Sequence, residues 1–171
     1  ASGIRYDLLL ADKKYGSKYL RQVVSQHVSG QMKVAPEHTV PAVLAKMFKP
    51  GPEALLAFRK WFTELTRAAG KPQFLTYYLM AAHPGCTETD MHNLKTFVRH
   101  KLKSTPRQVQ IFTPTPATYA SLMYHTGMDP FSGEKVFVEK NPARKNRQKD
   151  ILLASKRGNG VKSRPIKPPR R

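Results

Sequence analysis

Phe74-Leu75-Thr76-Tyr77-Tyr78-Leu79-Met80 is an uncharged run of aromatic, aliphatic and β-branched residues, and helical patterns flank it on both sides. Such a run suits a buried strand. The stretch before it, from Pro52 to about Ala69, places Leu55, Leu56, Phe62, Leu65 and Ala69 along one side of a helix. Pro52 suits the first helical position, Glu53 the first turn, and Gly70 the stop. The stretch after it repeats Met91, Leu94, Val98 and Leu102, with Thr87 and Asp90 spaced as a capping box. Connections of this length cannot be hairpins, so neighbouring strands are expected to run parallel with right-handed crossovers.

The same pattern extends outward. Ile4–Leu10 is expected to be a buried strand, because its end is too apolar to alternate. Ser17 to His27 is expected to be a helix capped by Ser17, and Gln31–Ala35 a short strand closed by Pro36. Val40, Val43, Leu44 and Met47 mark a short helix broken at Pro50-Gly51. Gln108–Phe112 is a further strand, Ala117–His125 a short helix, and Val136–Glu139 one more short strand. Strands beginning near 4, 31, 74 and 108 predict an α/β fold with at least four parallel strands: an open sheet, or roughly half of a barrel with its helices outside.

Charge divides the chain in two. Residues 1–139 carry 18 basic and 10 acidic side chains, whereas residues 140–171 carry 12 basic and one acidic. The first segment is expected to be the folded part and the second a largely disordered basic extension that attracts polyanions weakly and salt-dependently. No stretch is long and apolar enough to cross a membrane. The start, Ala1-Ser2-Gly3-Ile4, is unlike a signal peptide and suggests a chain cut from something longer, or a processed one. One cysteine, Cys86, excludes an internal disulfide and a thiolate metal cage, and makes a reducing cytoplasm the expected compartment.

In βα architectures ligands sit at the carboxyl ends of strands. That rule selects Ala11-Asp12, Ala35-Pro36-Glu37-His38, Ala81-Ala82-His83-Pro84-Gly85 and Thr113-Pro114-Thr115-Pro116. Glu37 and His38 are candidates for an acid/base pair or for holding a ligand's amine and hydroxyls; the alternative is a carboxylate capping the next helix. Lys33 and Arg5 place charge on or beside strands, where it must be paired, solvated or facing a ligand. His83, Cys86 and His92 are too few and too scattered for a metal site, and Cys86 is expected to be a buried thiol. Asp7 with His125, or Glu37 with His38, lacks the nucleophile elbow that hydrolysis would need. Gly158-Asn159-Gly160 follows no strand and is not a phosphate loop.

Three strings, Ser2-Gly3-Ile4-Arg5-Tyr6-Asp7, His27 through His38, and Tyr77 through Cys86, resemble an uncharacterised branch of the radical S-adenosylmethionine enzymes. Phe131-Ser132-Gly133-Glu134-Lys135 and Lys140-Asn141-Pro142-Ala143-Arg144-Lys145 resemble the carboxy-terminal extension of that branch. The resemblance covers about residues 1–155. It implies the C-terminal portion of a TIM-like partial (β/α) barrel. In the longer parent it implies a [4Fe–4S] cluster held by a C-x-x-x-C-x-x-C motif, and S-adenosylmethionine cleaved to a 5′-deoxyadenosyl radical. The Glu37 segment matches one that contacts the cofactor's methionyl or ribose end, and the His83-Pro84-Gly85 turn matches one near the adenine. Arg5, Lys33, Glu37, His38, His83 and Gly85 are the implied cofactor-binding positions. The three-cysteine motif is missing, so this chain alone is expected to hold no cluster and to be inactive. The missing N-terminal part of the same polypeptide, and an unidentified small-molecule or RNA substrate, are the expected partners. The competing class is a basic nucleic-acid-binding module, with Tyr15, Tyr19, Tyr119 and Tyr124 as available aromatics.

Overall fold

The computed structural model describes residues 4–153 apart from Arg107. The elements, in order, are α1 (Tyr6–Ala11), α2 (Gly16–Gln22) running into a π-helical turn (Val23–His27), β1 (Gln31–Glu37), α3 (Pro41–Lys46), α4 (Pro52–Ala68), β2 (Phe74–Ala81), α5 (Glu88–His100), β3 (Gln110–Ile111), α6 (Tyr119–Thr126) and α7 (Pro142–Leu153). The described strands form a parallel sheet of order β1-β2-β3. Gln31 pairs with Phe74 and Lys33 with Thr76, and the register slips between Val34 and Glu37. Met80 and Ala81 pair with Gln110 and Ile111.

Alternation sorts the sheet into two unlike faces. Met32, Val34, Leu79 and Ala81 are buried in the core with Phe58 and Phe62 of α4 and Met91, Leu94 and Val98 of α5. Tyr6 of α1 stacks at 5.8 Å on Phe58. Gln31, Lys33 and Phe74 on the other face are exposed, and Thr76, Tyr78 and Met80 are only half-buried.

The strand expected at Ile4–Leu10 is helical, so the sheet has three described strands and not four or more. An apolar run without alternation fits either form. Here Leu and Ala favour the helix over β-branched residues. Tyr6 and Leu9, three apart, turn inward while Leu8 stays exposed. Ser17 does not cap α2: the helix starts at Gly16, and Asp12 Oδ1 accepts bonds from the backbone N–H of Lys14 and Tyr15 just before it. Val136–Glu139 joins no sheet; the Val136 N–H donates to Gly127 O and Phe137 O accepts from Gly85 N–H.

A helix, α7, also occupies part of the segment expected to be disordered. Asn141 Oδ1 accepts from the N–H groups of Ala143 and Arg144, and Pro142 occupies the first turn. Among its many charges, Gln148 and Leu152 are buried. Gln148 locks the helix to the turn after β2. Its Oε1 accepts from Ala82 N–H at 2.9 Å, and its Nε2 donates to Cys86 O at 3.2 Å. The Cys86 thiol, 3.6 Å from the same Oε1, lies 3.7 Å from His38 Nε2. The basic stretch 154–171, expected to bind polyanions, lies outside the described residues.

Burial first, and the Asp90 carboxylate second, push the Cys86 thiol up to about 12. The Gln148→Ala variant should lose roughly 1–3 kcal/mol of stability by leaving the Ala82 N–H and Cys86 carbonyl without partners. Cys86 should resist a thiol reagent at neutral pH in the native chain and react in the variant; equal reactivity would remove Gln148 as the lock. Because the folded thiol binds its proton more tightly than the unfolded one, stability should fall as pH rises from about 9 toward about 12.

The acid limb depends on His38. Its Nδ1 accepts from Val40 N–H at 3.0 Å, so the buried ring needs to be neutral with its proton on Nε2. Burial, opposed by Asp90 and aided by His83, lowers its pKa from 6.5 to about 4. The unfolded chain takes up the proton first as pH drops, so stability should decline from about 6.5 down to about 4. Urea midpoints at several pH values would measure this, and His38→Gln should flatten the slope in that window.

Candidate functional site

Five of the described non-glycine residues have positive φ; Phe48 and Lys103 follow helices α3 and α5, and the other three follow the strands, along the carboxyl edge of the sheet. Glu37 at the end of β1 has φ 63°, Ala82 after β2 has φ 58°, and Ala117 beyond β3 has φ 58°. Each is a non-glycine residue in the left-handed region, which costs about 1–3 kcal/mol and is found preferentially at ligand-binding and catalytic sites. The same edge was selected from sequence by the strand-end rule.

At the β1 end, Glu37 faces Lys49 at 3.2 Å, and Lys49 also donates to Ala35 O at 2.9 Å. Arg5 grips Asp7 at 2.6 Å at the start of α1. Tyr6 is buried beside Asp7. Burial, then the Asp7 and Glu37 carboxylates, raise its phenol to about 12. The Arg5 guanidinium holds the Asp7 carboxyl below its ordinary range. A crevice of about 230 Å³, lined by Arg5, Tyr6, Asp7, Ala35, Phe48 and Lys49, opens here. That is below the roughly 300–1,000 Å³ of complete small-molecule sites. It offers paired charges of both signs, suited to an amine, a carboxylate or vicinal hydroxyls.

At the β2 end the chain turns inward. His83 is buried, its Nδ1 2.9 Å from Pro84 O and its ring 5.0 Å from that of Phe112. Burial lowers its pKa. Gly85 has φ 85°, and a Cβ there would meet Lys46 Cγ at 3.3 Å, so this turn requires glycine. Beyond β3, Pro114, Thr115, Pro116, Tyr119, Leu122 and His125 line an open groove of about 600 Å³.

The sequence-selected residues therefore divide. Arg5 lines the crevice at the β1 end with Lys49, the ion-pair partner of Glu37, while Glu37 itself stands outside that lining. His38 and His83 are buried beneath the edge, where they support the turns, and Gly85 shapes the second turn. Lys33 points to the open sheet face with its ammonium 5.7 Å from the Tyr78 ring, beside a crevice of about 390 Å³ that Thr76, Gln108 and Gln110 also line. Lys49 and Gln148 were not selected from sequence; neither sits in a motif, and only the fold brings them to Glu37 and Ala82. No helix among the described residues is long and apolar enough to cross a membrane.

Comparison with known proteins agrees with a segment of something larger. A domain of unknown function, DUF3362, matches residues 107–159, which take in β3, α6 and α7. A UPF0313 protein of Fusobacterium nucleatum is 51% identical over 157 residues, 92% of this chain and 28% of the relative. A UPF0313 protein of Thermotoga neapolitana is 41% identical over 158 residues, again 92% of this chain and 28% of the relative. One of Methanosarcina acetivorans is 41% identical over 150 residues, 88% of this chain and 20% of the relative. The chain is thus similar over most of its length to UPF0313 proteins, and it spans less than a third of theirs.

Proposed function

We propose that this chain is the C-terminal part of a radical S-adenosylmethionine enzyme. In this reading it supplies strands and supporting helices to a partial (β/α) barrel, and other parts of a longer polypeptide supply the rest. The observation that carries the reading is the one-sided sheet. Parallel sheets are ordinarily covered on both faces. Here helices pack against the Met32, Val34 and Leu79 face, while Lys33, Thr76 and Tyr78 stand on an open one. In a barrel that open face is the interior, closed by further strands.

The residues present do not fit an iron–sulfur cluster, which needs three thiolates. Cys86 is the one cysteine; it is buried and held against Gln148. Among the described residues no group of three His, Cys, Asp or Glu is placed to hold a metal ion. In this reading the cluster belongs to the rest of the polypeptide. Glu37 and Arg5 at the β1 edge, and Lys33 on the interior face, are the groups that would reach S-adenosylmethionine or a substrate. His38, His83 and Gly85 would act by fixing the two turns beneath it. Two or three partly solvated contacts, each at the low end of roughly 1.5–3 kcal/mol, amount to about 3–4.5 kcal/mol against an association cost of at least about 4 kcal/mol. The chain alone should therefore bind the cofactor no better than about millimolar.

The test uses this chain and the longer parent side by side, each reconstituted with iron and sulfide. The parent should show cluster absorbance and form 5′-deoxyadenosine after reduction, and the chain alone should do neither. A cluster on the chain, or micromolar cofactor binding without one, would overturn the fragment reading; no cluster on the parent would overturn the enzyme class. In the parent, Glu37→Gln should lower 5′-deoxyadenosine formation by about tenfold or more, the loss of one charge-assisted contact, while cluster absorbance stays unchanged.

A further inference from the structure

A second open groove adjoins the crevice at the β1 edge, sharing Ile4 and Arg5 with it. It holds about 940 Å³ between α1, α2 and the π-helical turn, and it touches Leu8, Asp12, Tyr15, Tyr19, Gln22 and His27. Its apolar surface is unusually bare: Leu8 is 60% exposed, Tyr15 58% and Tyr19 51%. Tyr15 and Tyr19 are four residues apart, so their rings project along one side of α2. Lys14, Lys18 and Arg21, each next in sequence to a groove residue, are exposed on the flank beside the groove and do not line it. The Lys14 ammonium sits 4.9 Å from the centre of the Tyr15 ring.

The local carboxylates are already engaged. Asp12 accepts from the backbone N–H groups of Lys14 and Tyr15, and Asp7 is paired with Arg5. No ion pair among the described residues occupies Lys14, Lys18 or Arg21. The groove wall is also fixed in place. Gln73 Nε2 donates to Val24 O at 2.9 Å and also to Val28 O, and Lys71 donates to Ser25 O. These bonds tie the π-helical turn to the start of β2 and leave its other side open. Such turns occur frequently at functional sites.

From this we infer that the α1–α2 groove binds single-stranded nucleic acid, with Tyr15 and Tyr19 stacking against bases and Lys14, Lys18 and Arg21 meeting the phosphates. Aromatic faces flanked by exposed cations are the combination that holds single strands with little sequence preference. A protein surface fits less well, because it would have to supply carboxylates for three cations as well as an apolar cover for the rings. The inference is independent of the proposed enzyme class: it needs neither a cluster nor a barrel.

The experiment compares binding of a short fluorescent oligouridylate and of its abasic counterpart to the full chain by anisotropy. The basic stretch 154–171 attracts both strands alike, so the difference between them reports stacking. The base-bearing strand should bind about tenfold more tightly. Tyr15→Leu with Tyr19→Leu should abolish the preference at an unchanged melting temperature, and Tyr19→Phe should keep it. Lys18→Glu with Arg21→Glu should weaken both strands and flatten the plot of log affinity against log salt by about 0.7 for each cation removed. Equal affinity for the two strands, or a preference that survives the double leucine variant, overturns the inference. So does protection of Tyr15 and Tyr19 from nitration in the longer parent together with no preference there, which would assign the groove to a contact within that polypeptide.

Discussion

The arrangement depends on where the apolar side chains of β1 and β2 can go. In register, Met32, Val34, Leu79 and Ala81 all fall on one side of the ladder, and every covering helix is drawn to that side. A parallel ladder also sends each connection back over the sheet, so α3 and α4 after β1, and α5 after β2, are carried there by topology as well as by hydrophobicity. The carboxyl ends of all three strands then lie on one edge, where the chain must leave the sheet sharply. The left-handed conformations at Glu37 and Ala82 are the local result.

Much of this was legible in the residues. Pro52, Glu53 and Gly70 bracketed α4 almost to the residue, and Thr87 with Asp90 forms the reciprocal cap expected of it. The uncharged β2 could hardly be anything else. Ile4–Leu10 reads equally as strand because the three consecutive leucines at its end carry no period, and the deciding contact, Tyr6 on Phe58, joins residues far apart in sequence. The α7 helix was hidden for a different reason. Its start signal, Asn141 before Pro142, was present, but the dense Lys and Arg content that follows outweighs two buried positions when composition is averaged.

The site was legible as a place more than as a set of contacts. The strand-end rule marked the edge at Glu37 and at His83 without any tertiary information. It could not show that Lys49 would neutralise Glu37, or that His38 would fold under the edge, because both depend on the slipped register near Pro36 and on the course of α3. The α1–α2 groove was less accessible still. Its tyrosines and lysines are plain in the sequence, but a helix was expected to continue evenly through Val23–His27, and a strand was expected where α1 stands.

The Gln148 lock has a consequence for how such a chain diversifies. It meets the turn after β2 through the Ala82 N–H and the Cys86 carbonyl, groups that every residue except proline possesses in full. A side chain that reads main chain constrains the path of its partner and leaves that partner's identity largely free. The turn can exchange its outward residues, and with them whatever it touches, while α7 stays in register. Two segments more than 60 residues apart in sequence are thereby coupled in geometry and uncoupled in chemistry.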